Sequence, residues 1–399
     1  MEKQIRVLHV LGGLSLGGAE SRIMDLYRCI DRDKVQFDFL VHQNEGGMAR
    51  SPEFYDEEVG RLGGKVYILP KFRGYNYFAY KKAVRDFFRK HHEFAVVQGH
   101  MTSTAAIYLP EAAKAGIPVR AAHARSAGVD KGAKGILTRL LRLPLLKRAD
   151  YCFACSKEAG DSVFGKKWKD SPKAVVIPNA VEAQKFKYRE DVGKEVKAEL
   201  GISGCYVIGH VGRFHYAKNH EFLLEIFAAL HEGLLSGKKL SSDKNPNIPE
   251  EMEKAGRRVV LILLGEGDGM EGIKQQAKKL DIARDVLFLG NRKDVWKYYQ
   301  AMDFFVFPSR FEGLPGTVVE AQASGLRCLI SDRITPEVGF SELVHYEDIE
   351  APPGKWAEYI INHMFYERKD MCKAVETAGF DVREQAGRME KFYLTGKMS

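Results

Sequence analysis

Residues 307–325 read Phe-Pro-Ser-Arg-Phe-Glu-Gly-Leu-Pro-Gly-Thr-Val-Val-Glu-Ala-Gln-Ala-Ser-Gly and contain the most specific pattern of the chain. The apolar run before Pro308 is typical of a buried strand, the glycines and prolines that follow predict a turn, and residues 317–324 predict a helix. The first backbone N–H groups of a helix have no partner within it and lie at the positive end of its dipole, so they suit a diphosphate. Glu312 and Glu320, eight residues apart, can accept hydrogen bonds from sugar or ribose hydroxyl groups. The alternative interpretation is a turn that carries two solvated glutamates.

The rest of the chain alternates short apolar runs with amphipathic stretches, which is typical of parallel α/β sheets. Because 399 residues exceed the roughly 250–300 that one core supports, we expect two domains. Predicted strands of the first half cover residues 5–10, 37–41, 65–69, 95–98, 119–123, 151–154 and 174–177. Those of the second half cover residues 206–211, 259–264, 286–289, 304–307 and 327–330. Residues 178–190 predict the linker between the domains, and the polar residues 237–250 predict a surface insertion.

Composition excludes several classes of protein. With 45% hydrophobic and 29% charged residues the chain is globular, and no window approaches the roughly 18 apolar residues of a membrane-spanning helix. Its first ten residues lead into a strand pattern without the apolar core of a signal peptide, which predicts a cytoplasmic protein. Six scattered cysteines are typical of free thiols, and the pair Cys152 and Cys155 has no second ligand pair for zinc. The formal charge of +8 suits an anionic partner, which could be nucleic acid, a membrane or a phosphorylated substrate.

Residues 131–148 form a basic and strongly apolar segment in which leucines and arginines alternate at near-helical spacing. One interpretation is a packing helix with a basic outer face. The other is peripheral contact with an anionic membrane at the inner face of the plasma membrane, which requires the apolar residues to be exposed.

Several predicted strand ends carry residues that suit a ligand, because open α/β sheets bind ligands at the carboxyl ends of their strands. Gly17 and Gly18 lie in a turn that lets the backbone approach a ligand, although the spacing differs from that of a dinucleotide fingerprint. Arg213 and Lys218 follow the first strand of the second half, where two fixed cations can stabilise a diphosphate leaving group. A solvated basic loop is the alternative.

Three further strand ends contribute candidates. His100 and His123 lie at neighbouring strand ends of the first domain and could face a ligand or serve only the structure. Gly290 and Asn291 follow the strand at residues 286–289, where backbone groups could meet a nucleotide base.

Together these motifs resemble a retaining glycosyltransferase of family 4, of the GT-B type, over essentially the whole chain. The pattern is closest to bacterial members that build exopolysaccharide or capsule. The residues that carry the resemblance are Gly17, Gly18, Ala19, Glu20, His100, His123, Ser156, Ile177, Pro178, Asn179, Gly212, Arg213, Lys218, Asn219, Gly265, Gly267, Gly290, Glu312 and Glu320.

The resemblance implies two Rossmann-like, doubly wound parallel-sheet domains that face a central cleft. The first domain would comprise residues 1–180 plus 380–399, because the last helix would cross back onto it, and the second residues 181–379. The partners implied are a nucleotide sugar, bound mainly by the second domain, and a lipid-linked or saccharide acceptor on the first, with no nucleic acid.

Roles for single residues are implied in the same way. Arg213 and Lys218 would hold the diphosphate, Glu320 the ribose, and Glu312 the donor sugar, while His100 would face the transferred sugar. The donor would also contact Gly17, Gly18, Gly290, Asn291, Gly313, Leu314, Pro315, Gly316 and Thr317. His123 and Arg125 are acceptor-side candidates, and Arg125 stands where related bacterial sequences often have a second histidine.

The resemblance implies no metal and no other cofactor, so arginine and lysine would supply the charge stabilisation that a divalent ion supplies elsewhere. We expect transfer of a hexose, from a UDP-sugar, with retention at the anomeric carbon. Two alternatives stay open: a UDP-sugar epimerase of the same architecture, which needs no acceptor, and a non-catalytic scaffold that binds nucleotide sugars.

Overall fold

The computed structural model describes residues 4–42, 50–126, 128, 132–235 and 258–398. The chain forms two compact units, one of residues 1–181 with 379–399 and one of residues 182–378. Each unit is a parallel sheet with helical crossovers, as the alternating pattern predicts. The predicted insertion at residues 237–250 and most of the loop at residues 44–53 lie outside the described residues.

The sheet of the first unit has seven parallel strands in the order β3-β2-β1-β4-β5-β6-β7. Its strands are β1 (Ile5–Val10), β2 (Val35–His42), β3 (Val66–Leu69), β4 (Val96–Gly99), β5 (Val119–Ala124), β6 (Tyr151–Ala154) and β7 (Ala174–Val176). Its helices in chain order are α1 (Gly18–Cys29), α2 (Asp56–Arg61), α3 (Tyr77–Lys90), α4 (Thr102–Lys114), α5 (Ala133–Arg142), α6 (Leu145–Arg148) and α7 (Lys157–Phe164). The order changes direction between β1 and β4, so the loops after these two strands diverge.

The second unit has six parallel strands in the order β10-β9-β8-β11-β12-β13. They are β8 (Tyr206–Val211), β9 (Val259–Leu264), β10 (Val286–Gly290), β11 (Phe304–Phe307), β12 (Cys328–Ser331) and β13 (Val344–Glu347). Its helices are α8 (Ala183–Phe186), α9 (Glu190–Glu199), α10 (His220–Leu235), α11 (Met270–Lys279), α12 (Val295–Ala301), α13 (Gly316–Ala323), α14 (Pro353–His363) and α15 (Cys372–Thr377). Here the change of direction falls between β8 and β11.

The last helix, α16 (Val382–Thr395), belongs to the first unit although the whole second unit precedes it. Its N-cap Asp381 accepts hydrogen bonds from the backbone N–H groups of Arg383 and Glu384, and Val181 pairs with Asp381 as an isolated bridge. Its apolar face, which includes Met389, Phe392 and Tyr393, lies in the core of the first unit. The first unit therefore needs the end of the chain to complete its core.

The cysteines of the Cys-x-x-Cys pair are both buried and form no disulfide with another described residue. Burial raises the pKa of the Cys152 thiol to about 12, so it carries no thiolate at neutral pH. Among the described residues no group of three or more His, Cys, Asp or Glu side chains is placed to hold a metal ion.

Candidate active site

The candidate site of the second unit lies where the loops after β8 and β11 diverge at the carboxyl edge of the sheet. At such a position an open α/β sheet leaves a crevice for a ligand. The loop after β8 carries Arg213 and Lys218, and the loop after β11 carries Glu312 and leads into α13. The two loops are joined by hydrogen bonds from the Arg310 N–H to the Ala217 carbonyl, at 2.8 Å, and from the Asn219 side chain to the Pro308 carbonyl, at 3.1 Å.

An ion pair connects the two loops at their centre. The Lys218 Nζ lies 2.6 Å from Glu312 Oε1, and both side chains are largely covered, with 18% and 17% of their surface exposed. The Lys218 ammonium also lies 4.6 Å from the centre of the Phe307 ring. Asn219, which follows Lys218, has a left-handed backbone with φ of 57°. This turn brings a cation from one loop and a carboxylate from the other to the same point.

Arg213 lies on the same edge, in the loop after β8, and hydrogen bonds to the loop after β9 hold this loop in place. The Gly212 and Phe214 N–H groups donate to the carbonyls of Leu264 and Glu266, at 2.9 and 3.0 Å, so the loop after β8 packs on the loop after β9. Gly265 has φ of 132° and touches the Gly212 backbone so closely that a side chain would collide with it. The Arg213 side chain itself is exposed and can reach a ligand.

Gly290 and Asn291 extend this edge to β10. The Gly290 carbonyl accepts a hydrogen bond from the Gly265 N–H at 2.9 Å, and Gly290 has a left-handed φ of 66°. The Asn291 side-chain amide donates to Glu266 Oε2 at 3.0 Å. Four adjacent strands, β10, β9, β8 and β11, thus direct their sequence-predicted loops to one edge.

Helix α13 begins at Gly316, one residue before its predicted start, and has no side-chain cap. The preceding Gly313, Leu314 and Pro315 are buried and form its entry turn. The Thr317 hydroxyl is buried without a hydrogen-bond partner among the described residues. Glu320 is buried on this helix, and its Oε2 accepts a hydrogen bond from the Tyr299 hydroxyl at 2.9 Å. The interpretation of Glu320 as a solvated glutamate is therefore wrong.

The first unit carries a second polar cluster, at its own change of direction. His100 follows β4, and its Nε2 lies 3.1 Å from Nδ1 of His9, a buried residue of β1. Arg125 follows β5 and donates from Nε to His100 Nδ1 at 3.3 Å and from a terminal nitrogen to Asn179 Oδ1 at 2.8 Å. His123 is buried beside this cluster, with its Nδ1 3.0 Å from the Gln98 amide.

The donors in this cluster fix the proton positions of two histidines. An arginine nitrogen can only donate, so His100 Nδ1 accepts the Arg125 bond and neutral His100 carries its proton on Nε2. That proton is directed to His9 Nδ1, so neutral His9 carries its own on Nε2, which is buried without a partner among the described residues. Both ring nitrogens of His100 are thus engaged within the first unit.

Burial and the nearby arginine keep these histidines neutral. Burial, and then the charge of Arg125, lowers the pKa of His9 from 6.5 to about 3. The pKa values of His100 and His123 fall well below 6.5 for the same two reasons. Burial also lowers the pKa of Arg125 to about 10, so its guanidinium stays charged at neutral pH.

The glycine turn of the first unit precedes α1. Gly17 is the N-cap of this helix, with an extended backbone, and a side chain there would meet the Glu20 carboxylate. Gly18 borders open space, with no atom within 4 Å of the position that a Cβ would take. Close approach to the backbone is therefore available at Gly18.

A cavity of about 580 Å³ opens on the second unit beside the same two loops, since Asn219 and Arg310 line it together with Arg333. Its lining includes Glu221, Glu225 and Glu350 but neither Arg213, Glu312 nor Glu320. Three carboxylates on its walls suit a diphosphate poorly.

Sequence and fold comparisons agree with this geometry. The model of a family described as Glycosyl transferases group 1 matches residues 205–363, and that of Glycosyltransferase Family 4 matches residues 16–185. The chain is 34% identical over 398 residues to the putative glycosyltransferase EpsF of Bacillus subtilis, covering 98% of this chain and 96% of that protein.

Two more distant proteins are also similar, one to part of the sequence and one to the fold of the chain. A UDP-Gal:alpha-D-GlcNAc-diphosphoundecaprenol alpha-1,3-galactosyltransferase of Escherichia coli is 30% identical over 165 residues, covering 41% of this chain and 38% of that enzyme. The crystal structure of Anabaena Alr3699/HepE in complex with UDP-glucose matches with a TM-score of 0.69 at 16% identity, covering 97% of this chain and all of that one.

Two Rossmann-like parallel-sheet units whose first is completed by the last helix define a protein of the GT-B class. The full-length similarity to EpsF and the two family matches place the chain within that class. It belongs to glycosyltransferase family 4.

Proposed function

We propose that this protein transfers a hexose from a UDP-sugar to a lipid-linked saccharide, with retention at the anomeric carbon, in the synthesis of a surface polysaccharide. The observation that carries the proposal is the Lys218–Glu312 pair, held at 2.6 Å between the two loops of the second unit's switch point. It puts a cation for a phosphate and a carboxylate for sugar hydroxyl groups at one place.

The donor would lie along the carboxyl edge of the second sheet. Arg213 and Lys218 would neutralise the diphosphate, whose oxygens would also accept from the N–H groups at the start of α13. Glu320, oriented by Tyr299, would accept from the ribose hydroxyl groups. Gly290 and Asn291 would border the base, because they lie farther along the same edge.

The chemistry needs charge stabilisation rather than an enzyme nucleophile. As the bond between the anomeric carbon and the phosphate breaks, negative charge grows on the departing diphosphate, and fixed cations stabilise it. The departing phosphate would take the proton of the attacking acceptor hydroxyl on the same face of the sugar, which retains the configuration. His100 could contact the sugar only by exchanging its bond to His9, because both its ring nitrogens have partners.

The names of two similar proteins support a UDP-sugar as donor and a lipid-linked saccharide as acceptor. The similar Anabaena structure contains UDP-glucose, and the name of the E. coli relative includes a UDP-sugar and a diphosphoundecaprenol acceptor. An acceptor linked through a diphosphate to a lipid also fits the formal charge of +8.

Variants of the second-unit edge test the proposal. Arg213→Ala and Glu312→Ala should each lower turnover about 10²-fold, which is the effect of losing one preorganised electrostatic contact. Arg284→Ala, an exposed arginine at the opposite end of β10, serves as the matched control and should keep wild-type turnover. Near-normal turnover in both site variants would refute the assigned roles.

Product analysis separates the proposal from its alternatives. Transfer releases UDP and forms a glycosylated acceptor with the donor's anomeric configuration, as read by nuclear magnetic resonance. An isomerised UDP-sugar without acceptor would indicate an epimerase. Tight donor binding without turnover across a panel of acceptors would indicate a scaffold.

A further inference from the structure

Exposed apolar side chains concentrate on one part of the first unit. Nine large hydrophobic side chains are exposed among the described residues, and six of them fall in two short segments. The six, with their exposed fractions, are Tyr75 82%, Phe78 83%, Ile136 62%, Leu137 38%, Leu140 58% and Leu143 76%. The two segments adjoin, because a Cβ placed on Gly74 would lie 3.0 Å from the Leu137 side chain. We call these six residues the apolar surface.

Helix α5 exposes apolar side chains on its outer face. Its inward positions are Gly135 and Arg142, and the Arg142 Nε donates to the Thr102 hydroxyl of α4 at 3.1 Å. Its outward positions include Ile136 and Leu140. Helix α5 packs on α4, as the first interpretation of residues 131–148 requires, but its outer face carries apolar side chains beside the exposed Arg139 and is therefore not simply basic.

Both sequence segments of the apolar surface are rich in cations, although Arg142 points inward and Arg85 pairs with Glu111. Residues 70–85 contain five lysines and arginines, residues 131–148 contain six, and neither stretch contains an aspartate or glutamate. Water does not favour so many large apolar side chains on an exposed helix face, so a covering partner is expected. The exposed cations Arg139 and Lys147 favour an anionic partner.

We propose that the apolar surface docks on an anionic lipid bilayer. Leucine and isoleucine would enter the boundary between head groups and acyl chains, while Tyr75 and Phe78 would lie at the level of the head groups. Arg139 and Lys147, both exposed, would contact the lipid phosphates, each adding to the attraction. A second copy of this chain fits less well, because a two-fold contact would place these cations against their own copies. The surface stands on its own geometry, whether or not the proposed transfer reaction holds.

Vesicle flotation of the full-length protein tests the docking surface. The protein should float with vesicles of phosphatidylcholine mixed with phosphatidylglycerol, should float little with phosphatidylcholine alone, and should be released by salt. The double variant Leu140→Ser with Leu143→Ser should lower binding to the mixed vesicles at least about tenfold, since it removes two leucines that membrane docking would bury. Arg139→Gln with Lys147→Gln should weaken binding only to the anionic vesicles.

Matched controls keep the test specific. Ile68→Ser with Leu394→Ser changes two exposed apolar residues elsewhere on the first unit and should float like wild type. UDP binding to the second unit should be unchanged in all variants, which separates a failure of the surface from a failure of the proposed function. Equal flotation of the Leu140/Leu143 variant and wild type would overturn the proposal. So would the absence of flotation with anionic vesicles, or a wild-type dimer in solution that this variant converts to a monomer.

Discussion

The Lys218 ammonium and the Glu312 carboxylate neutralise each other when no donor is bound. A diphosphate that enters this edge must share the three N–H donors of the Lys218 ammonium with Glu312, whose negative charge opposes that of the phosphates. The pair therefore holds Lys218 in position before the donor binds, and it sets part of the cost of donor binding.

Replacing Glu312 with glutamine separates binding from turnover. Glu312→Gln removes the competing charge, so the Kd for UDP should stay the same or fall by up to about tenfold, while turnover should fall about 10²-fold because the sugar loses its carboxylate partner. Isothermal titration and initial rates measure the two effects, and Lys218→Ala should weaken UDP binding as the opposite control. Weaker UDP binding by Glu312→Gln would show that the carboxylate does not restrain Lys218.

Buried neutral histidines predict that the protein loses stability in acid. Burial lowers the pKa of His9 and His210 to about 3 and that of His220 to about 2, against 6.5 in the unfolded chain. Above pH 6.5 both states are neutral and the stability is complete. As the pH falls from 6.5 toward 3, these histidines bind protons in the unfolded state but not in the folded state, so the free energy of unfolding decreases.

Urea unfolding between pH 7.5 and pH 4.5 measures this decrease. Each fully excluded proton contributes a slope of about 1.4 kcal/mol per pH unit. His9→Phe, which keeps an aromatic ring between Phe37 and Phe39, should remove about one proton from the slope below pH 6.5. A pH profile identical to that of wild type would mean that His9 titrates normally.

His9 also shows what the sequence could not reveal at this scale. Three residues of the donor-site proposal follow predicted strands: Arg213, Lys218 and Glu312. Glu320 lies in the first turns of a predicted helix. Their position at a common edge could therefore be inferred before their contacts were known. His9 lies inside an apolar strand, and its bond to His100 depends on β1 lying beside β4, which the strand order alone decides. Long-range pairing of this kind leaves no local pattern.

At the scale of elements, strands that are buried in the sheet were predicted from the sequence more readily than a strand at its edge. β8, β9 and β11 have the predicted bounds because each is a buried and mainly apolar run between turns. β13, with the sequence Val-His-Tyr-Glu, escaped prediction because it is an edge strand whose polar residues are tolerated at the rim of the sheet. The outward apolar face of α5 could not be predicted either, since periodicity shows that a helix is amphipathic but not which face packs inward.

Helix α16 gives the first unit its tightest dependence on a single element. Phe392 is fully buried against Tyr151 and Phe153, so Phe392→Ala should lower the free energy of unfolding of the first unit by about 3–5 kcal/mol. Hydrogen exchange of β1 and β4 amides reports this unit separately from the other. Arg388→Ala, on the exposed face of the same helix, should stay within about 0.5 kcal/mol of wild type. Unchanged exchange in Phe392→Ala would contradict the role of α16 as a core element.

At the scale of the whole molecule, two separately folded units divide the polar residues into two sets. The second unit holds the cations and carboxylates of the proposed donor site, and the first holds the cluster of His9, His100, His123 and Arg125. No helix among the residues that the structure describes is long and apolar enough to cross a membrane.

Metal independence is proposed for the whole enzyme, and a chelator tests it. If Arg213 and Lys218 supply the charge stabilisation, excess EDTA should leave the transfer rate unchanged. Magnesium added back serves as the control. Complete loss of turnover in EDTA with recovery in magnesium would mean that a divalent ion, rather than these side chains, stabilises the diphosphate.

The most direct test of the donor site is a thermal-shift titration of the wild-type protein and Lys218→Ala with UDP, GDP and ADP. A ligand that binds only the folded state raises its melting temperature by mass action. We expect UDP to raise the Tm of wild type selectively, and to raise that of Lys218→Ala much less. No shift with any nucleotide, or an equal shift in both proteins, would contradict the assignment of this edge as a nucleotide-sugar site.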